Sequence, residues 1–149
     1  MDISMEPERV LCRIAEVVYY CHGMGYRHVG LAFCTDLFSE ARTIANLLRR
    51  FFTVTPVCCK IGGLNDRQIE IAEDHSQILC NPVGMARLLN KARTNINIMM
   101  GLCIGCDSVF MQLSQAPVTA LFVKDRLLAN NPIGAVYSKY QQESILDKL

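Results

Sequence analysis

The sequence predicts an α/β domain in which a mostly parallel sheet lies between two layers of helices. Short, nearly unbroken apolar segments alternate with amphipathic segments of helical spacing, a pattern typical of strand–helix–strand units with right-handed crossovers. The chain has 149 residues, enough to bury one apolar core without disulfides. We therefore expect a single domain over residues 1–149, a Rossmann-like three-layer sandwich with about four strands.

The first three elements are predicted as helix, strand and helix. Residues 6–21 repeat apolar side chains at helical spacing. Residues 28–34 are almost entirely apolar, which is typical of a parallel strand covered by helices on both faces. Thr35 and Asp36 can cap the next helix, whose apolar residues return to one face until about Phe51.

The middle of the chain predicts an edge strand, a long connection and a helix. Residues 53–59 are short and β-branched, and Pro56 favours an edge position because proline cannot donate to the ladder. Residues 60–80 predict no regular element, and a connection of this length is often functional. Asn81 followed by proline predicts the start of a helix over residues 82–92.

The last part of the chain predicts two more strands and two short helices. Residues 95–103 are rich in Ile and Met and indicate a central strand, and residues 118–123 indicate a fourth strand. Asp107 or Ser108 is expected to cap the helix between them, and Asn131 to begin the last helix. The edge position of the second strand favours the order 2-1-3-4. In such sheets ligands bind outside the carboxyl ends of the strands where the order reverses, here between the first and third strands.

Composition excludes several classes of function. The chain has 15 Lys and Arg and 14 Asp and Glu, so its net charge is only +1, and we do not expect it to bind nucleic acid. No apolar segment is long enough to span a membrane. The acidic first residues do not resemble a signal peptide, which predicts a cytoplasmic protein with reduced thiols. The expected partners are a metal ion or a small molecule, with a homo-oligomer possible.

Five of the eight cysteines are predicted to lie near one edge of the sheet. Cys34, Cys103 and the pair Cys58-Cys59 end predicted strands, and Cys80 precedes a helix cap. Parallel strands place their carboxyl ends on the same edge, so these thiols should approach one another. Alternate residues of a strand face opposite ways, and we favour Cys59 over Cys58. Thiolates from separate strands suit a zinc ion or an iron–sulfur cluster, although buried cysteines are also common as core residues.

Other residues near this edge provide alternative chemistry. Cys103-Ile104-Gly105-Cys106 has the spacing of thiol-redox sites and of half of many zinc sites, with Asp107 beside it as a catalytic candidate or a helix cap. Gly62, Gly63 and Lys124 could bind an anion or a nucleotide, or form a plain turn and a solvated charge. The function therefore stays open among a metal site, a thiol-redox enzyme and an anion-binding module.

Several motifs resemble an uncharacterised prokaryotic family labelled "metal-binding protein". The resemblance covers residues 9–137, and its motifs are Cys-Cys-Lys-Ile-Gly-Gly from Cys58, Cys-Asn-Pro-Val-Gly from Cys80, Gly-Leu-Cys-Ile-Gly from Gly101, Ala-Pro-Val-Thr from Ala116 and Val-Lys-Asp-Arg from Val123. The resemblance implies that the matching positions hold the metal, namely Cys34, Cys59, Cys80 and Cys103.

This chain departs from that family pattern in two ways. Members often carry an additional Cys-rich amino-terminal segment, and we do not expect such a segment in this protein. Cys106 and Asn130 stand where the family pattern has His. These replacements are expected to change the metal preference or to create a redox pair.

Overall fold

The computed structural model describes residues 10–65 and 78–144, and it confirms the predicted fold class and strand order. Four parallel strands form one sheet in the order β2-β1-β3-β4. The elements are α1 (Arg13–Gly23), β1 (His28–Phe33), a 3-10 turn (Thr35–Leu37), α2 (Phe38–Leu48), β2 (Thr53–Cys58), α3 (Pro82–Ala92), β3 (Ile96–Met100), α4 (Ile104–Leu113), β4 (Val118–Phe122), α5 (Ile133–Tyr137) and α6 (Lys139–Ser144).

Two helical layers cover the sheet and produce two apolar cores. On one face, α1 and α2 pack on β1 and β3 through residues such as Leu48, Leu31 and Ile98. On the other face, α3 and α4 pack on β1, β2 and β3, with Leu89 and Phe110 fully buried there. Because both faces are covered, the central strands carry almost no polar residues, which explains the apolar segments in the sequence.

The edge strand and helix α3 agree with the sequence. Among the described strands, β2 pairs with β1 alone, and it contains Pro56. Asn81 caps α3 by accepting a hydrogen bond at 2.8 Å from the backbone N–H of Gly84. Both features follow from local chemistry, namely the missing N–H of proline and the side-chain oxygen of asparagine.

Helix α4 begins earlier than predicted, and the capping expectation for Asp107 and Ser108 is wrong. Cys103 has extended backbone angles and precedes the helix, and the N–H of Asp107 already bonds to the Cys103 carbonyl at 2.9 Å. Strand β3 also ends at Met100 rather than at residue 103, because Gly101 turns the chain with a φ of 58°. A side chain at Gly101 would meet Leu37, so the turn requires glycine.

Three other boundaries differ from the sequence-based expectation. Helix α1 begins at Arg13, with residues 10–12 outside it and residues 6–9 outside the described residues. Neither Thr35 nor Asp36 caps α2, because these two residues form a separate 3-10 turn and Leu37 precedes the helix. The last predicted helix is divided at Ser138 into α5 and α6.

The strand order places a reversal between β1 and β3. The chain moves outward from β1 to β2 and then returns across β1 to form β3, so the helices that follow β1 and β3 lie on opposite faces of the sheet. The carboxyl ends of these two strands therefore border the position where parallel α/β sheets bind ligands. None of the helices in residues 10–65 and 78–144 has the length and apolar content needed to cross a bilayer.

A buried polar network joins the sheet to the second helical layer. Asn97 in β3 is fully buried, and its side chain accepts from Thr94 Oγ1 at 2.7 Å and donates to Ser114 Oγ at 2.8 Å. Gly30 in the neighbouring strand leaves the space for this side chain, because a Cβ there would lie 2.0 Å from Asn97 Oδ1. A glycine inside a strand is explained here by close packing.

Replacing Gly30→Ala is expected to lower the free energy of unfolding by about 2–3 kcal/mol, because the added methyl group overpacks a closed site. Urea unfolding followed by circular dichroism measures this loss. Gly23→Ala at the end of α1 is the matched control, since nothing lies within 4 Å of a Cβ there. Equal unfolding midpoints for the two variants would contradict the role of Gly30.

Candidate functional site

The carboxyl edge of the sheet gathers five cysteines, which we call the cysteine cluster: Cys34, Cys59, Cys80, Cys103 and Cys106. Cys34 directly follows β1 and Cys59 directly follows β2. Their sulfur atoms lie 4.0 Å apart, and both residues are buried at 4% and 1% exposure. The predicted approach of thiols from separate strands is thus observed for this pair.

Backbone hydrogen bonds extend the sheet beyond β2 and position the next thiol. The N–H of Cys59 bonds to the Phe33 carbonyl at 2.9 Å, and the N–H of Asn81 bonds to the Cys59 carbonyl at 2.6 Å. Asn81 also donates from its side chain to the Ile61 carbonyl at 3.2 Å. These bonds hold Cys80 next to the end of β2, although Cys80 lies 22 positions after Cys58, the last residue of that strand.

The thiols form a row of neighbours. Cys80 is within hydrogen-bonding reach of Cys59 on one side and of Cys106 on the other, and Cys103 lies within electrostatic range. Cys34 begins this row through its contact with Cys59. Cys34 and Cys59 form its buried end, whereas Cys80 is exposed and Cys103 and Cys106 are half-buried.

Burial and mutual repulsion favour the protonated thiols in the outer part of the row. Desolvation raises the pKa of Cys80, and nearby Cys106 and Cys103 raise it further, while a hydrogen bond with Cys59 opposes the shift. Desolvation likewise raises the pKa of Cys106. A hydrogen bond with Cys80 lowers this pKa, and the nearby Cys103 and Cys59 raise it. Several thiolates side by side therefore need a compensating cation.

Lys124, just beyond β4, brings a positive charge to the buried end of the row. Its side chain is 7% exposed, and its Nζ lies 2.8 Å from Cys34 Sγ and 2.5 Å from Asp36 Oδ2. Burial disfavours the ammonium, but the carboxylate of Asp36 and the sulfur of Cys34 outweigh burial and raise the pKa of Lys124. Negative charge on the Cys34 sulfur would be compensated directly by this ammonium.

Asp36 is a site residue whose partner the sequence did not identify. Lys124 lowers the pKa of the Asp36 carboxyl, and Arg126, 3.4 Å away, adds to the effect. The sequence does contain a signal for this pair, because Asp36 and Lys124 carry opposite charges and each lies just after a predicted strand. Strand β3 lies between β1 and β4. The side chains of Asp36 and Lys124 therefore meet by extending across the carboxyl edge of the sheet.

Asp107 has one buried carboxylate oxygen. Its Oδ1 finds no hydrogen-bond partner in the part of the chain that the structure describes. Burial raises the pKa of Asp107, and a hydrogen bond from its own backbone N–H lowers it only in part. The residue lies in the first turn of α4, where Cys103 precedes the helix and Cys106 is in the same turn.

The remaining candidates lie apart from the row or in a turn. Cys58 points to the other face, where it packs with the core of α1 and α2, as the preference for Cys59 anticipated. Gly62 and Gly63 both have positive φ, and the N–H of Gly63 bonds to the Lys60 carbonyl at 3.2 Å, as in a tight turn. Anion binding by Gly62, Gly63 and Lys124 stays a prediction. His75, a histidine of the predicted long connection, lies outside the described residues.

The arrangement is not a preformed metal site. Among residues 10–65 and 78–144, no group of three or more His, Cys, Asp or Glu side chains is placed so that it could hold a metal ion. The row brings thiols into pairwise contact, so metal binding requires side-chain rotation within it.

Comparisons with known proteins identify relatives but no activity. A family model described as "Protein of unknown function (DUF1847)" matches residues 4–121. An uncharacterized protein of Methanocaldococcus jannaschii, MJ0455, is 40% identical over 139 residues, which cover 91% of this chain and 72% of that protein. No solved structure matches the chain significantly. The expected membership in an uncharacterised family is confirmed, while the "metal-binding" label stays a prediction.

Replacing Asp36→Asn is expected to lower stability at neutral pH by about 1 kcal/mol, a modest value because Asp36 is exposed and its charge is screened. The ionised carboxyl stabilises the fold above its unfolded pKa of about 3.9, and this contribution is lost as the pH falls through the lower folded value. Urea unfolding between about pH 3 and 7 measures the difference. Wild type and variant should converge at the acid end, and a constant difference would contradict the ion pair.

Proposed function

The chain belongs to DUF1847, a family of proteins of unknown function, and we propose that its cysteine cluster binds a metal ion. The proposed ligands are thiolates at the carboxyl edge of the sheet, and the proposed ion is zinc or the iron of an iron–sulfur cluster. Soft sulfur donors from separate parts of a chain are typical of both centres.

The observation that carries the proposal is the row of thiols. A tetrahedral zinc site has Zn–S bonds of about 2.3 Å, so its sulfurs lie about 3.8 Å apart. Cys34 and Cys59 are already 4.0 Å apart. Cys80 and Cys106 continue the row at hydrogen-bonding distances. Rotation of exposed or half-buried side chains is a small change compared with movement of the backbone.

The structure favours a ligand set that differs in one position from the sequence-based set. Cys106 contacts Cys80, whereas Cys103 is only within electrostatic range of Cys80 and Cys106. We therefore propose Cys34, Cys59, Cys80 and Cys106 as the inner ligands, with Cys103 beside them. The resemblance predicts His at the position of Cys106 in the family, and Cys106 would keep a metal-ligating residue type there.

The charges around the row suit a bound cation. A bound metal ion would supply the positive charge that allows neighbouring thiols to ionise together, which their raised pKa values otherwise oppose. Lys124 provides a second charge at the buried end and a hydrogen-bond donor to Cys34. Such donors orient and stabilise a metal-bound thiolate from outside the ligand set.

Anaerobic metal analysis and zinc titration against a competing chelator test the proposal. The protein as purified should contain zinc or iron, and the apoprotein should take up zinc tightly. Cys34→Ser and Cys59→Ser should each weaken zinc binding more than about a hundredfold, because loss of an outer-shell partner alone costs roughly ten- to a hundredfold.

Cys12→Ser is the matched control, because Cys12 is exposed and lies outside the cluster. It should bind zinc like the wild type. Cys103→Ser and Cys106→Ser compare the two ligand sets, and the larger loss is expected for Cys106. The proposal is wrong if the wild type holds no metal and takes up none, or if all cluster variants bind like Cys12→Ser.

A second candidate function, thiol–disulfide exchange by Cys103 and Cys106, is favoured by one observation. Cys103 immediately precedes α4 and Cys106 lies in its first turn. A helix amino terminus stabilises a thiolate, which can attack a disulfide, and the second thiol can then resolve the mixed disulfide. Cys106 is also within hydrogen-bonding reach of Cys80, however, so exchange would compete with the row.

Incubation of the metal-free protein in glutathione redox buffers, followed by peptide mass mapping, tests exchange. A reversible Cys103–Cys106 disulfide would support the redox function. Its absence across the buffer range, with Cys103 and Cys106 both remaining reduced, would contradict it. Cys12→Ser again serves as the control, because Cys12 is exposed and is not part of the cluster, so its removal should leave the pattern unchanged.

A further inference from the structure

Cys34 and Cys59 lie side by side after two neighbouring parallel strands. The pair comes directly after the register partners Phe33 and Cys58, the last residues of β1 and β2. The N–H of Cys59 bonds to the Phe33 carbonyl at 2.9 Å, and Cys34 keeps extended backbone angles, so the strand spacing of about 4.8 Å continues to this pair. Disulfides join Cα atoms that are usually about 4.4–6.8 Å apart, so the backbone has the spacing that a disulfide requires.

The side chains of this pair need only a small movement to form that bond. Cys34 and Cys59 both pack in the core formed with α3 and α4, so they point to the same face of the sheet, and their sulfur atoms are 4.0 Å apart. A disulfide bond is about 2.05 Å long, and side-chain rotation can bring the sulfurs together while the strands stay in place. Cys58 packs on the opposite face and does not compete for either sulfur.

Burial shields this pair from an oxidant in solution. Cys34 and Cys59 are only 4% and 1% exposed. Cys80, in contrast, is exposed and lies within hydrogen-bonding reach of Cys59. Thiol–disulfide exchange proceeds through a mixed disulfide and depends on access to the attacking sulfur. Cys80 is therefore the neighbour of the pair through which a dissolved disulfide can react.

We propose that Cys34 and Cys59 form a reversible disulfide, and that Cys80 transfers the oxidation to them from a small dissolved disulfide such as glutathione disulfide. Cys80 attacks glutathione disulfide, which forms a mixed disulfide and releases one glutathione. Cys59 attacks the Cys80 sulfur and releases the second glutathione. Cys34 then attacks the Cys59 sulfur and releases Cys80 as a thiol. Two protein thiols are oxidised, one glutathione disulfide is reduced, and the two thiol protons pass to the glutathione thiolates.

This inference goes beyond the proposed metal site, because every step takes place in the metal-free protein. The disulfide would remove two of the four proposed inner ligands, so oxidation and metal binding would exclude one another. Failure of the wild type to bind metal would contradict the proposed function alone. The reaction also differs from exchange between Cys103 and Cys106, because it joins two strands rather than the first turn of one helix.

Oxidation of the metal-free full chain by glutathione disulfide, followed by peptide mass mapping, tests the pair. Mildly alkaline buffer is used, because burial raises the pKa of Cys80. The wild type should form a Cys34–Cys59 disulfide that dithiothreitol reverses, and fragmentation of the linked peptide distinguishes Cys59 from Cys58. Cys59→Ser should lose this disulfide, and Cys58→Ser, the matched control from the opposite face, should keep it. The proposal is wrong if Cys34 and Cys59 stay reduced in the wild type at every glutathione ratio.

The rate of oxidation tests the transfer through Cys80. Cys80→Ser should slow formation of the disulfide roughly tenfold or more, because the oxidant must then reach a buried sulfur, and should leave its final extent unchanged. Cys12→Ser removes another exposed thiol and Cys106→Ser removes the other neighbour of Cys80, so both are matched controls that should oxidise no more slowly than the wild type. Equal rates for Cys80→Ser and the wild type would overturn the transfer. A Cys80–Cys106 disulfide with Cys34 and Cys59 still reduced would overturn the pair.

Discussion

The common direction of the four strands is the constraint on which this structure depends. Each strand ends at the same edge of the sheet, so residues that follow β1, β2 and β4 meet although up to 90 positions separate them along the chain. The crossover helices bury the two faces and leave that edge for loops. Side chains that pack poorly in an apolar core can therefore collect there without disturbing the sheet.

Thiols and charged side chains follow one another along the carboxyl edge of the sheet, from a buried end to an outer end near solvent. At its buried end, Lys124 contacts Cys34 and pairs with Asp36, so positive charge is present where the thiols are least exposed. At its outer end, Cys80 and Cys106 are closer to solvent and repel one another when ionised. The raised pKa values of Cys80 and Cys106 favour their neutral thiols, and a cation in the outer part would allow these two thiols to ionise.

Several features were predictable because they depend on local chemistry. The apolar segments identified the strands, Pro56 identified the edge strand, and Asn81-Pro82 identified the start of α3. The preference for Cys59 over Cys58 followed from the alternation of side chains along a strand. Boundaries were less accurate where a turn depended on tertiary contacts, as at Gly101, whose left-handed turn is closed by Leu37 and Phe122.

The sequence by itself determined the fold class, the strand order and the edge at which Cys34, Cys59, Cys80 and Cys103 collect, because periodicity, proline and strand ends are local properties of the chain. Tertiary structure alone decided which side chains at this edge contact one another. It placed Cys106 beside Cys80, Lys124 between Cys34 and Asp36, and one Asp107 oxygen in a buried position without a described partner. These contacts join elements that are distant in the chain, and their distances depend on how the helices and turns pack.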